Sequence, residues 1–412
     1  MKKRKICIIT PGHVASNPRL VKEADALYEE GYDVTVLYCD ITPEVRPLDN
    51  TILNDSPWKY KKIKYETRLD YISKILLQKI AQTLTKIYKH NLELSSFAYS
   101  RMTFKLMKAA LSEYADLYIA HYLPSLMAAS KAAAKYNTKF SFDAEDFHIG
   151  EINESENNRY KIELTSYIES SLIPKCEYVT ASSPLIAKAY AERYAVNPVT
   201  ILNVFPVSNS PKFTEIINNN KYKRHSMYWF SQTIGSGRGL EEIVVAMSLM
   251  NTQIHLYLRG STKSDPGFVA KLLNIAEEFK VRDRIHILSS AAPSEMTRLA
   301  ANYDLGLSIE PGRDQNDNFC LGNKIFTYLL AGIPILMSRT PSQIQLAKEL
   351  GNACVLVDLD DTKSVAKILD KIIMNESELN NMKKTAFKLA KERFNWDIEK
   401  KYFLNLVDEV FN

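Results

Sequence analysis

The stretch that decides the fold of this 412-residue chain is Gly322-Asn-Lys-Ile-Phe-Thr-Tyr-Leu-Leu-Ala-Gly332-Ile-Pro334, which follows Ser308-Ile-Glu-Pro-Gly-Arg313. An apolar strand is predicted to end near Ser308, and the polar loop after it leads to a helix that begins near Gly322. Gly332 and Pro334 end that helix before a further buried strand. A strand, a charged loop and a helix in this order are typical of a parallel α/β sheet that binds a ligand at its carboxyl edge.

Length and composition predict a folded chain of two domains. The 412 residues suit two domains of roughly 200 residues each. Hydrophobic residues make up 46% of the chain and charged residues 25%, which excludes a disordered or fibrous protein. The five cysteines are odd in number and far apart, without a Cys-x-x-Cys pair. We therefore expect reduced thiols, and neither a disulfide framework nor a structural zinc site.

The order of apolar runs and helical patterns predicts two doubly wound, Rossmann-like α/β domains that face a central cleft. Asp33-Val-Thr-Val-Leu-Tyr-Cys39 is one of several strand signals that alternate with helices, and Pro18 suits the first turn of the helix before it. The asparagine-rich stretch that ends at Asn220 is the best linker. The predicted divisions are an N-terminal domain over 1–203, a linker over 204–222, a C-terminal domain over 223–393 and a terminal helix over 394–412 that packs back across the N-terminal domain.

Polar side chains follow two of the predicted strands in the N-terminal half. In the first loop, Gly12 permits close approach of a ligand, and His13, Asn17 and Arg19 are candidate contacts to an acceptor or a phosphate. His121 directly follows a later strand, and its ring can both donate and accept hydrogen bonds. The alternatives are structural: a turn and helix cap for the first loop, and a partly buried ring that caps the next helix for His121.

Three acids and a histidine lie within six residues after the next strand, in Asp143-Ala-Glu-Asp-Phe-His148. Their spacing does not place metal ligands on one helical face, and no other part of the chain is expected to join them, so no metal site is predicted. Asp143 and Glu145 are predicted to form a polar patch on the acceptor side. The alternative is a polar loop without a function of its own.

A second glycine-rich loop follows a strand in the C-terminal half, in Phe230-Ser-Gln-Thr-Ile-Gly-Ser-Gly-Arg-Gly-Leu-Glu241. Its glycines let the backbone approach a diphosphate at the start of a helix near Gly239. Arg238 can donate bidentate hydrogen bonds to phosphate oxygens. The alternative is a plain strand-to-helix turn with a surface arginine, since short glycine patterns are weak signals.

The net charge of +5 is concentrated in one region. Residues 59–110 hold twelve Lys and Arg against three acids, a local balance of +9. Apolar and aromatic side chains such as Trp58, Tyr60 and Leu76 lie among them, so the region is a candidate for attachment to anionic lipid head groups. The alternative is a set of solvated helix faces. No nucleic-acid-binding motif accompanies the charge, so a nucleic-acid partner is not expected.

No segment predicts a membrane-spanning helix. The apolar run from Ile6 to Ile9 is too short for a signal peptide. No stretch approaches the ~20 apolar residues of a spanning helix. The sequence therefore predicts a cytoplasmic protein. The basic region adds the possibility that the protein attaches peripherally to the inner face of the cell membrane.

Together these segments resemble the retaining GT-B glycosyltransferases of family 4, over essentially the whole chain. The most specific match is Asn323-Lys-Ile-Phe-Thr-Tyr-Leu-Leu-Ala-Gly-Ile-Pro334, and Gly235-Ser-Gly-Arg-Gly-Leu-Glu-Glu242 and Asp116-Leu-Tyr-Ile-Ala-His121 also match. The resemblance implies a nucleotide sugar bound mainly by the C-terminal domain, an acceptor on the N-terminal domain, and transfer without a metal or other cofactor. His121 resembles the histidine that contacts the transferring sugar, and Arg238 falls near the phosphate-binding basic residue, so these two are the candidate catalytic residues.

Two acidic residues of that family are replaced in this chain. The family usually carries two Glu separated by seven residues, the first on the donor sugar and the second on the ribose, and Phe319 and Thr327 stand at those positions. Polar side chains close by in the sequence can supply contacts instead. The donor-side residues implied by the resemblance are Gln232, Gly235, Gly237, Gly239, Arg259, Glu310, Asn323, Lys324 and Thr327, and the acceptor-side residues are Gly12, His13, Asn17, Arg19, Asp143 and Glu145.

The resulting hypothesis is a glycosyltransferase. It would move a sugar from a UDP- or GDP-sugar to a glycan or lipid-linked acceptor in the synthesis of a bacterial surface polysaccharide, with retention of configuration. Two alternatives stay open. One is a catalytically weak GT-B protein that binds another transferase, which Phe319 and Thr327 motivate. The other is a sugar-nucleotide epimerase on the same fold.

Overall fold

The computed structural model of the chain describes residues 3–88, 91–212, 224–263 and 265–412. The chain divides into two compact units. Unit 1 comprises Met1–Ile201, Asp314–Asn316 and Lys400–Asn412, and unit 2 comprises Leu202–Arg313 and Asp317–Glu399. The predicted linker, residues 204–222, lies outside the described residues from position 213 onward.

Unit 1 is built on a parallel sheet of seven strands in the order β3-β2-β1-β4-β5-β6-β7. The strands are β1 (Lys5–Ile9), β2 (Asp33–Cys39), β3 (Lys59–Ile63), β4 (Leu117–His121), β5 (Lys139–Ala144), β6 (Val179–Ala181) and β7 (Val199–Thr200). The α-helices are α1 (Pro18–Glu29), α2 (Arg46–Asp55), α3 (Arg68–Ile87), α4 (Leu92–Tyr99), α5 (Thr103–Ala110), α6 (Leu123–Tyr136), α7 (Arg159–Leu172) and α8 (Pro184–Tyr194). This strand order is that of a doubly wound sheet, in which helices cover both faces.

The central strands of unit 1 consist of continuous apolar runs. Ile6 to Ile9 in β1 and Leu117 to Ala120 in β4 are all buried. A strand that is covered on both faces loses the polar alternation of a half-exposed strand, which is why these runs identify it in the sequence.

The edge strand β3 differs from the others and was not predicted. Four of its five residues, in Lys59-Tyr-Lys-Lys-Ile63, are exposed. Among the strands that the structure describes, it pairs with β2 alone. Lysine residues on an edge strand discourage pairing with a second chain, so the sequence of an edge strand lacks the apolar signal by which inner strands are recognised.

Unit 2 is built on a second parallel sheet, of six strands in the order β10-β9-β8-β11-β12-β13. The strands are β8 (His225–Thr233), β9 (Ile254–Ser261), β10 (Ile285–Leu288), β11 (Leu305–Ser308), β12 (Ile335–Ser338) and β13 (Cys354–Val357). The α-helices are α9 (Leu240–Ser248), α10 (Pro266–Glu278), α11 (Met296–Ala300), α12 (Gln315–Phe319), α13 (Asn323–Leu330), α14 (Pro341–Leu350), α15 (Thr362–Met374), α16 (Glu376–Glu392) and α17 (Trp396–Phe411). Two doubly wound α/β units confirm the predicted fold class.

Close packing fixes helix α13 on the sheet of unit 2. Gly306 in β11 makes room for it, because a Cβ at this position would lie 2.4 Å from the ring of Tyr328. The Tyr328 hydroxyl lies 3.0 Å from the carbonyl oxygen of Tyr228 and 3.3 Å from that of Leu307, both of which can accept from it. These contacts hold the first turn of α13, which carries Lys324, close to the ends of β8 and β11.

The last residues of helix α17 belong to unit 1, as predicted for the terminal helix. The hydroxyl of Tyr32 donates to Asp408 Oδ1 at 2.7 Å, and Lys139 Nζ donates to the carbonyl oxygen of Val410 at 2.8 Å. The side chain of Asn395 accepts a hydrogen bond from Ile398 N at 3.2 Å and so caps the start of this helix.

The cysteines are all free thiols, and Cys7, Cys39 and Cys354 are buried. Burial raises the pKa of the Cys354 thiol to about 11, which leaves it protonated at neutral pH. Across the described ranges of the chain, no helix combines the length and the apolar character that crossing a membrane requires.

Glu169 is a buried carboxyl group in unit 1. It lies on α7 and accepts hydrogen bonds from Tyr190, at 3.2 Å, and from Tyr194, both on α8. Burial raises the pKa of Glu169 to about 7 from an ordinary value of 4.5, although the two tyrosine hydroxyls lower it. Between these two pH values the folded state therefore holds a proton that the unfolded state has released.

We expect Glu169→Gln to stabilise unit 1 increasingly above pH 4.5, with the full gain reached above about pH 7. Below pH 4.5 the carboxyl group is neutral in both states, so the amide and the acid differ little. Between pH 4.5 and about 7 only the unfolded state has released this proton, so the wild type loses stability across this window, and above it the variant should be more stable than the wild type by about 1–3 kcal/mol. Urea unfolding at acidic and mildly alkaline pH measures the gain. Glu163→Gln, at an exposed position of the same helix, is the control and should show no such trend; an equal gain at both pH values would contradict the prediction.

Candidate functional site

The candidate site residues of each unit lie at the carboxyl ends of strands where the strand order reverses. In unit 1 the order reverses between β1 and β4, and Asn17, Arg19 and His121 stand at the ends of these strands or in the loops after them. In unit 2 it reverses between β8 and β11, which lead into the loop 234–239 and into Glu310. At such a point the two connections leave toward opposite faces of the sheet, which opens a crevice for a ligand.

Arg19 lies at the centre of a buried ion network in unit 1. Its Nε and Nη2 donate to the two carboxylate oxygens of Asp143 at 2.8 and 2.7 Å, and its Nη1 donates to the carbonyl oxygen of Ile201. Its Nε also lies 3.4 Å from Oε1 of Glu23, one helical turn further along α1. Arg19 and Asp143 are each 1% exposed. A bidentate pair of this kind fixes the direction of both side chains as well as their distance.

His121 is fully buried in the same network. Its Nε2 donates to Oε2 of Glu23 at 3.0 Å, while its Nδ1 lies 3.3 Å from both the Asn17 amide nitrogen and Oδ2 of Asp143. The Nδ1 atom accepts from the amide when the ring is neutral and donates to the carboxylate when the ring is protonated. Burial lowers the pKa of His121, but the neighbouring carboxylates raise it more, so the net shift is upward and favours the imidazolium form.

Glu23, His121 and Asp143 bring three metal-ligating groups within 4.8 Å of one another. The expectation that nothing joins Asp143 is therefore wrong, because α1 and β4 deliver Glu23 and His121 beside it. The Arg19 guanidinium already engages both oxygens of Asp143, and Arg19 and protonated His121 balance the two carboxylates. Because these two cations already neutralise the carboxylates of Glu23 and Asp143, the cluster suits an ion network better than a metal site. The absence of a metal from the reaction stays a prediction.

A strained tyrosine stands next to this network. Tyr122, between β4 and α6, has φ 60° and ψ 152°, a backbone conformation that residues other than glycine rarely adopt. Its hydroxyl bonds to Glu145. Burial and the neighbouring Asp146 carboxylate raise the pKa of Glu145 to about 7, and burial lowers the pKa of Lys22 to about 7. Groups that titrate near neutral pH beside a strained loop are typical of ligand sites.

The backbone at Gly12 is open to a ligand, whereas both ring nitrogens of His13 already form hydrogen bonds. A Cβ added to Gly12 would meet no described atom within 4 Å, so a ligand can approach the backbone there. His13 is buried: its Nδ1 donates to Asp49 at 2.6 Å, and its Nε2 accepts from the backbone N–H groups of Ile41 and Thr42 at 3.2 and 2.8 Å. Both ring nitrogens of His13 are thus used within unit 1, where they support the loop.

The glycine-rich loop of unit 2 adjoins two arginines. Gly237 has φ +67°, and a Cβ at this position would lie 0.8 Å from Nη2 of Arg313, so the guanidinium group lies directly against the glycine. Arg238 follows in the chain and is exposed, and it forms no ion pair with the described residues. Gly239, with φ +72°, caps α9 at a point where a Cβ would come within 2.8 Å of the Ile309 carbonyl oxygen. Two cations near a helix N-terminus favour an anionic ligand.

The rest of this loop is held in place by an acidic side chain. Asp265 Oδ2 accepts from the backbone N–H of Ser236 at 3.0 Å, and this hydrogen bond lowers the pKa of Asp265. Gly235 is buried beside the same carboxylate, and Gln232 is exposed at the end of β8. The hydrogen bond to Asp265 fixes the backbone of the loop at Ser236.

Glu310 supplies a carboxylate beside the first turn of α13. Its Oε1 lies 2.9 Å from Lys324 Nζ, and its Oε2 accepts from Ser308 Oγ at 3.0 Å and from Gln343 Nε2. Burial raises the pKa of Glu310, but Lys324 and the other donors lower it further, so the group is ionised. Lys324 Nζ also lies 5.6 Å from the centre of the Trp229 ring. The Glu310 and Lys324 side chains remain 17% and 14% exposed, so a ligand can reach them.

Three other predicted donor-side residues have structural contacts. Arg259 Nε donates to the hydroxyl of Tyr228 at 2.8 Å, and its Nη1 donates to the carbonyl oxygen of Ser289 at 2.6 Å. Thr327 is 1% exposed, and its hydroxyl donates to the carbonyl oxygen of Asn323 at 3.0 Å. The Thr327 hydroxyl is therefore used inside α13, while Asn323 stands at the first position of that helix.

Glu23 and Arg313 are among the residues of these clusters that were not singled out from the sequence. Glu23 follows Arg19 by four residues, the spacing that places two side chains on one helix face. This spacing could have identified Glu23 as a partner of Arg19. Arg313 stands in the loop after β11, but its position against Gly237 depends on the pairing of β8 with β11, which local sequence does not reveal.

Comparison with known proteins assigns the fold. No protein-family model matches the chain, and no curated protein matches it. Solved structures do match over nearly the whole length. HepE (Alr3699) of Anabaena in complex with UDP and glucose is 14% identical, with a TM-score of 0.72 over 98% of this chain and 100% of HepE. Sucrose-phosphate synthase of Thermosynechococcus elongatus is 13% identical, with a TM-score of 0.73 over 99% of each chain. WaaG, a glycosyltransferase involved in lipopolysaccharide biosynthesis, is 13% identical, with a TM-score of 0.62 over 97% of this chain and 98% of WaaG.

These similarities extend over both units of the chain. They show that it has the GT-B fold of these proteins, with two parallel-sheet α/β units of seven and six strands. At 13 to 14% identity the likeness concerns the fold alone.

Proposed function

We propose that the chain is a glycosyltransferase that moves a sugar from a UDP- or GDP-sugar to a glycan or lipid-linked acceptor, with retention of configuration and without a metal. The observation that carries the proposal is the pair of exposed arginines at the glycine-rich loop, Arg313 against Gly237 and Arg238 beside it. The donor is assigned to unit 2, and the acceptor-side residues of unit 1 stay a prediction.

In sugar transfer, these arginines would stabilise the charge on the leaving group. As the bond between the sugar and the diphosphate breaks, negative charge grows on the leaving diphosphate. Arg238 and Arg313, at the start of α9, are positioned to stabilise that charge, and preorganised charge of this kind is often the largest contribution to catalysis. In a retaining reaction a phosphate oxygen of the donor takes the acceptor proton, so the proposal requires no protein base.

Glu310 takes the place of the missing acids in this proposal. Phe319 and Thr327 cannot accept hydrogen bonds through a side-chain carboxylate, whereas Glu310 is ionised, partly exposed and fixed by Lys324. We assign it to hydroxyl groups of the donor. His121 is fully buried, so we assign it an orienting role on the unit 1 side, through Asn17 and Glu23.

The relatives support a uridine nucleotide as the first donor to test. The HepE structure holds UDP and glucose. WaaG acts in lipopolysaccharide biosynthesis, which supports a surface glycan as the acceptor class. Both statements concern those proteins and come to this chain as part of the proposal.

Calorimetric titration with UDP and uridine, and with GDP and guanosine, tests the proposal. We expect UDP or GDP to bind at least about ten-fold more tightly than its nucleoside, because charge-assisted hydrogen bonds to phosphate each contribute about 1.5–3 kcal/mol. Arg238→Ala should remove most of this difference, and Arg282→Ala, at an exposed position elsewhere in unit 2, should not.

A donor assay separates the alternatives. Slow release of sugar from the matching nucleotide sugar, accelerated by an acceptor glycan, supports the transferase. Conversion of the donor to an isomer without any acceptor would indicate an epimerase. The absence of affinity for every nucleotide would favour a binding partner of another transferase.

A further inference from the structure

Helix α3 of unit 1 presents an apolar stripe to solvent. Its five members are between 47% and 78% exposed: Leu69, Ile72, Leu76, Ile80 and Ile87. They are spaced three, four, four and seven residues apart, which places them on one line along the helix. A contiguous row of exposed aliphatic side chains is unusual on a folded surface and marks an interaction site.

The opposite face of α3 does the packing within unit 1. Ala81 and Thr85 are buried there, and the Thr85 hydroxyl lies 2.7 Å from that of Tyr160. Gln78 and Gln82 donate to the carbonyl oxygen of Ala98, each at 3.2 Å. These contacts on the opposite face hold the stripe outward.

Basic residues border the stripe. Arg68, Lys79 and Lys86 are exposed and recur after eleven and seven residues, so they lie along one edge of it. Arg68 and Lys79 form no ion pair with the described residues, and Lys86 lies over the ring of Tyr160. Asp70, the one acid of α3, is already paired with Lys105 and does not cancel this charge.

Several other members of the basic region are engaged within unit 1. Trp58, named above among its apolar side chains, is buried and donates to Asp25 at 2.8 Å. The lysines of β3 face acids of unit 1; Lys59 Nζ, for example, lies 2.7 Å from Asp33. The apolar and basic features therefore coincide on α3.

We propose that the exposed face of α3 binds the surface of an anionic lipid bilayer. The helix lies in the plane of the interface, with the five aliphatic side chains at the boundary of head groups and acyl chains and with Arg68, Lys79 and Lys86 at lipid phosphates. Charge favours this partner over a second copy of the chain, because a symmetric contact through the stripe would bring the three cations of each copy together. The inference does not depend on the proposed sugar transfer, since lipid binding is measured without nucleotide.

Co-sedimentation with vesicles tests the proposal on the full chain. Phosphatidylcholine vesicles with an equal amount of phosphatidylglycerol should bind the protein, phosphatidylcholine alone should bind it far more weakly, and added salt should release it. Replacing Arg68, Lys79 and Lys86 by glutamine should weaken binding about a hundred-fold, since each charge near the surface contributes about five-fold. Leu69→Ser with Leu76→Ser should abolish stable binding while the circular dichroism spectrum stays unchanged.

Matched controls come from unit 2. Lys363, Lys367 and Lys371 are exposed along α15, and their replacement by glutamine removes the same charge. Met374→Ser removes an apolar side chain that is 71% exposed. Both controls should bind vesicles as the wild type does. The proposal would be overturned if the protein did not bind anionic vesicles, or if the control variants lost as much vesicle binding as the variants of α3. It would also be overturned if sedimentation velocity showed a dimer that dissociates in the serine variant.

Discussion

Arg19→Met should lower the free energy of unfolding of unit 1 by about 3–5 kcal/mol, because it leaves two buried carboxylates without their cation. The methionine fills part of the space but donates no hydrogen bond. Asp143 would lose both guanidinium donors and keep the Thr180 hydroxyl on Oδ1, and Glu23 would lose the guanidinium 3.4 Å away. Protonated His121 alone cannot balance both acids.

The loss should depend on pH in a defined direction. Burial raises the pKa of Asp143, but Arg19 and His121 lower it more, so the folded carboxyl group has a pKa below its ordinary value of 3.8. The stability that this pairing provides is present above pH 3.8 and is lost as the pH falls through the folded pKa. Without Arg19 the burial effect remains and Asp143 takes up a proton more readily, so the difference between variant and wild type should shrink as the medium becomes acidic.

Hydrogen exchange read by mass spectrometry on β1 and β4 reports the unfolding of unit 1 separately from that of unit 2. The control is Arg159→Met, which removes an exposed pair with Glu163 and should cost at most about 1 kcal/mol. Adding Asp143→Asn to Arg19→Met should recover part of the loss, with a coupling energy of about 1–3 kcal/mol. A loss as small as that of the control would show that the network contributes no stability.

The strands of the two sheets could be predicted because parallel strands must be apolar on both faces. Asp33–Cys39 was predicted with the bounds that the structure has. The strand β3 escaped prediction because an edge strand buries little, and Lys59-Tyr-Lys-Lys-Ile63 has no apolar run. The pattern of apolar residues in a sequence indicates which elements are buried, so an exposed strand has no such pattern by which it could be predicted.

The candidate sites were predictable to the extent that loops follow strands. Asn17, His121 and Asp143 were each placed at a strand end, and the structure brings all three together. Arg313 was visible in the sequence, but its contact with Gly237 requires β8 and β11 to be neighbours, and strand order is a property of the whole sheet. Thr327 stays a predicted donor contact from its position in the motif, and the structure shows that its hydroxyl donates to the backbone of its own helix.

Gly237→Ala should weaken the binding of the nucleoside diphosphate about ten- to hundred-fold, as much as Arg313→Ala does, because it displaces the Arg313 guanidinium. The new methyl group would lie 0.8 Å from Nη2 and 1.4 Å from Cζ of that side chain. Arginine is long and flexible, so it moves away and the fold survives. The left-handed backbone at Gly237 adds a stability cost of about 1–2 kcal/mol.

The control is Gly267→Ala, at a glycine without positive φ where an added Cβ meets no described atom within 4 Å; it should leave both affinity and stability nearly unchanged. The decisive variant combines Gly237→Ala with Arg313→Ala. If Gly237 acts only by leaving room for the Arg313 guanidinium, then Gly237→Ala has no further effect once Arg313 is replaced by alanine. The double variant should therefore bind UDP as weakly as Arg313→Ala alone. Two losses that multiply would mean that Gly237 serves the ligand directly, through close approach of its own backbone to the diphosphate.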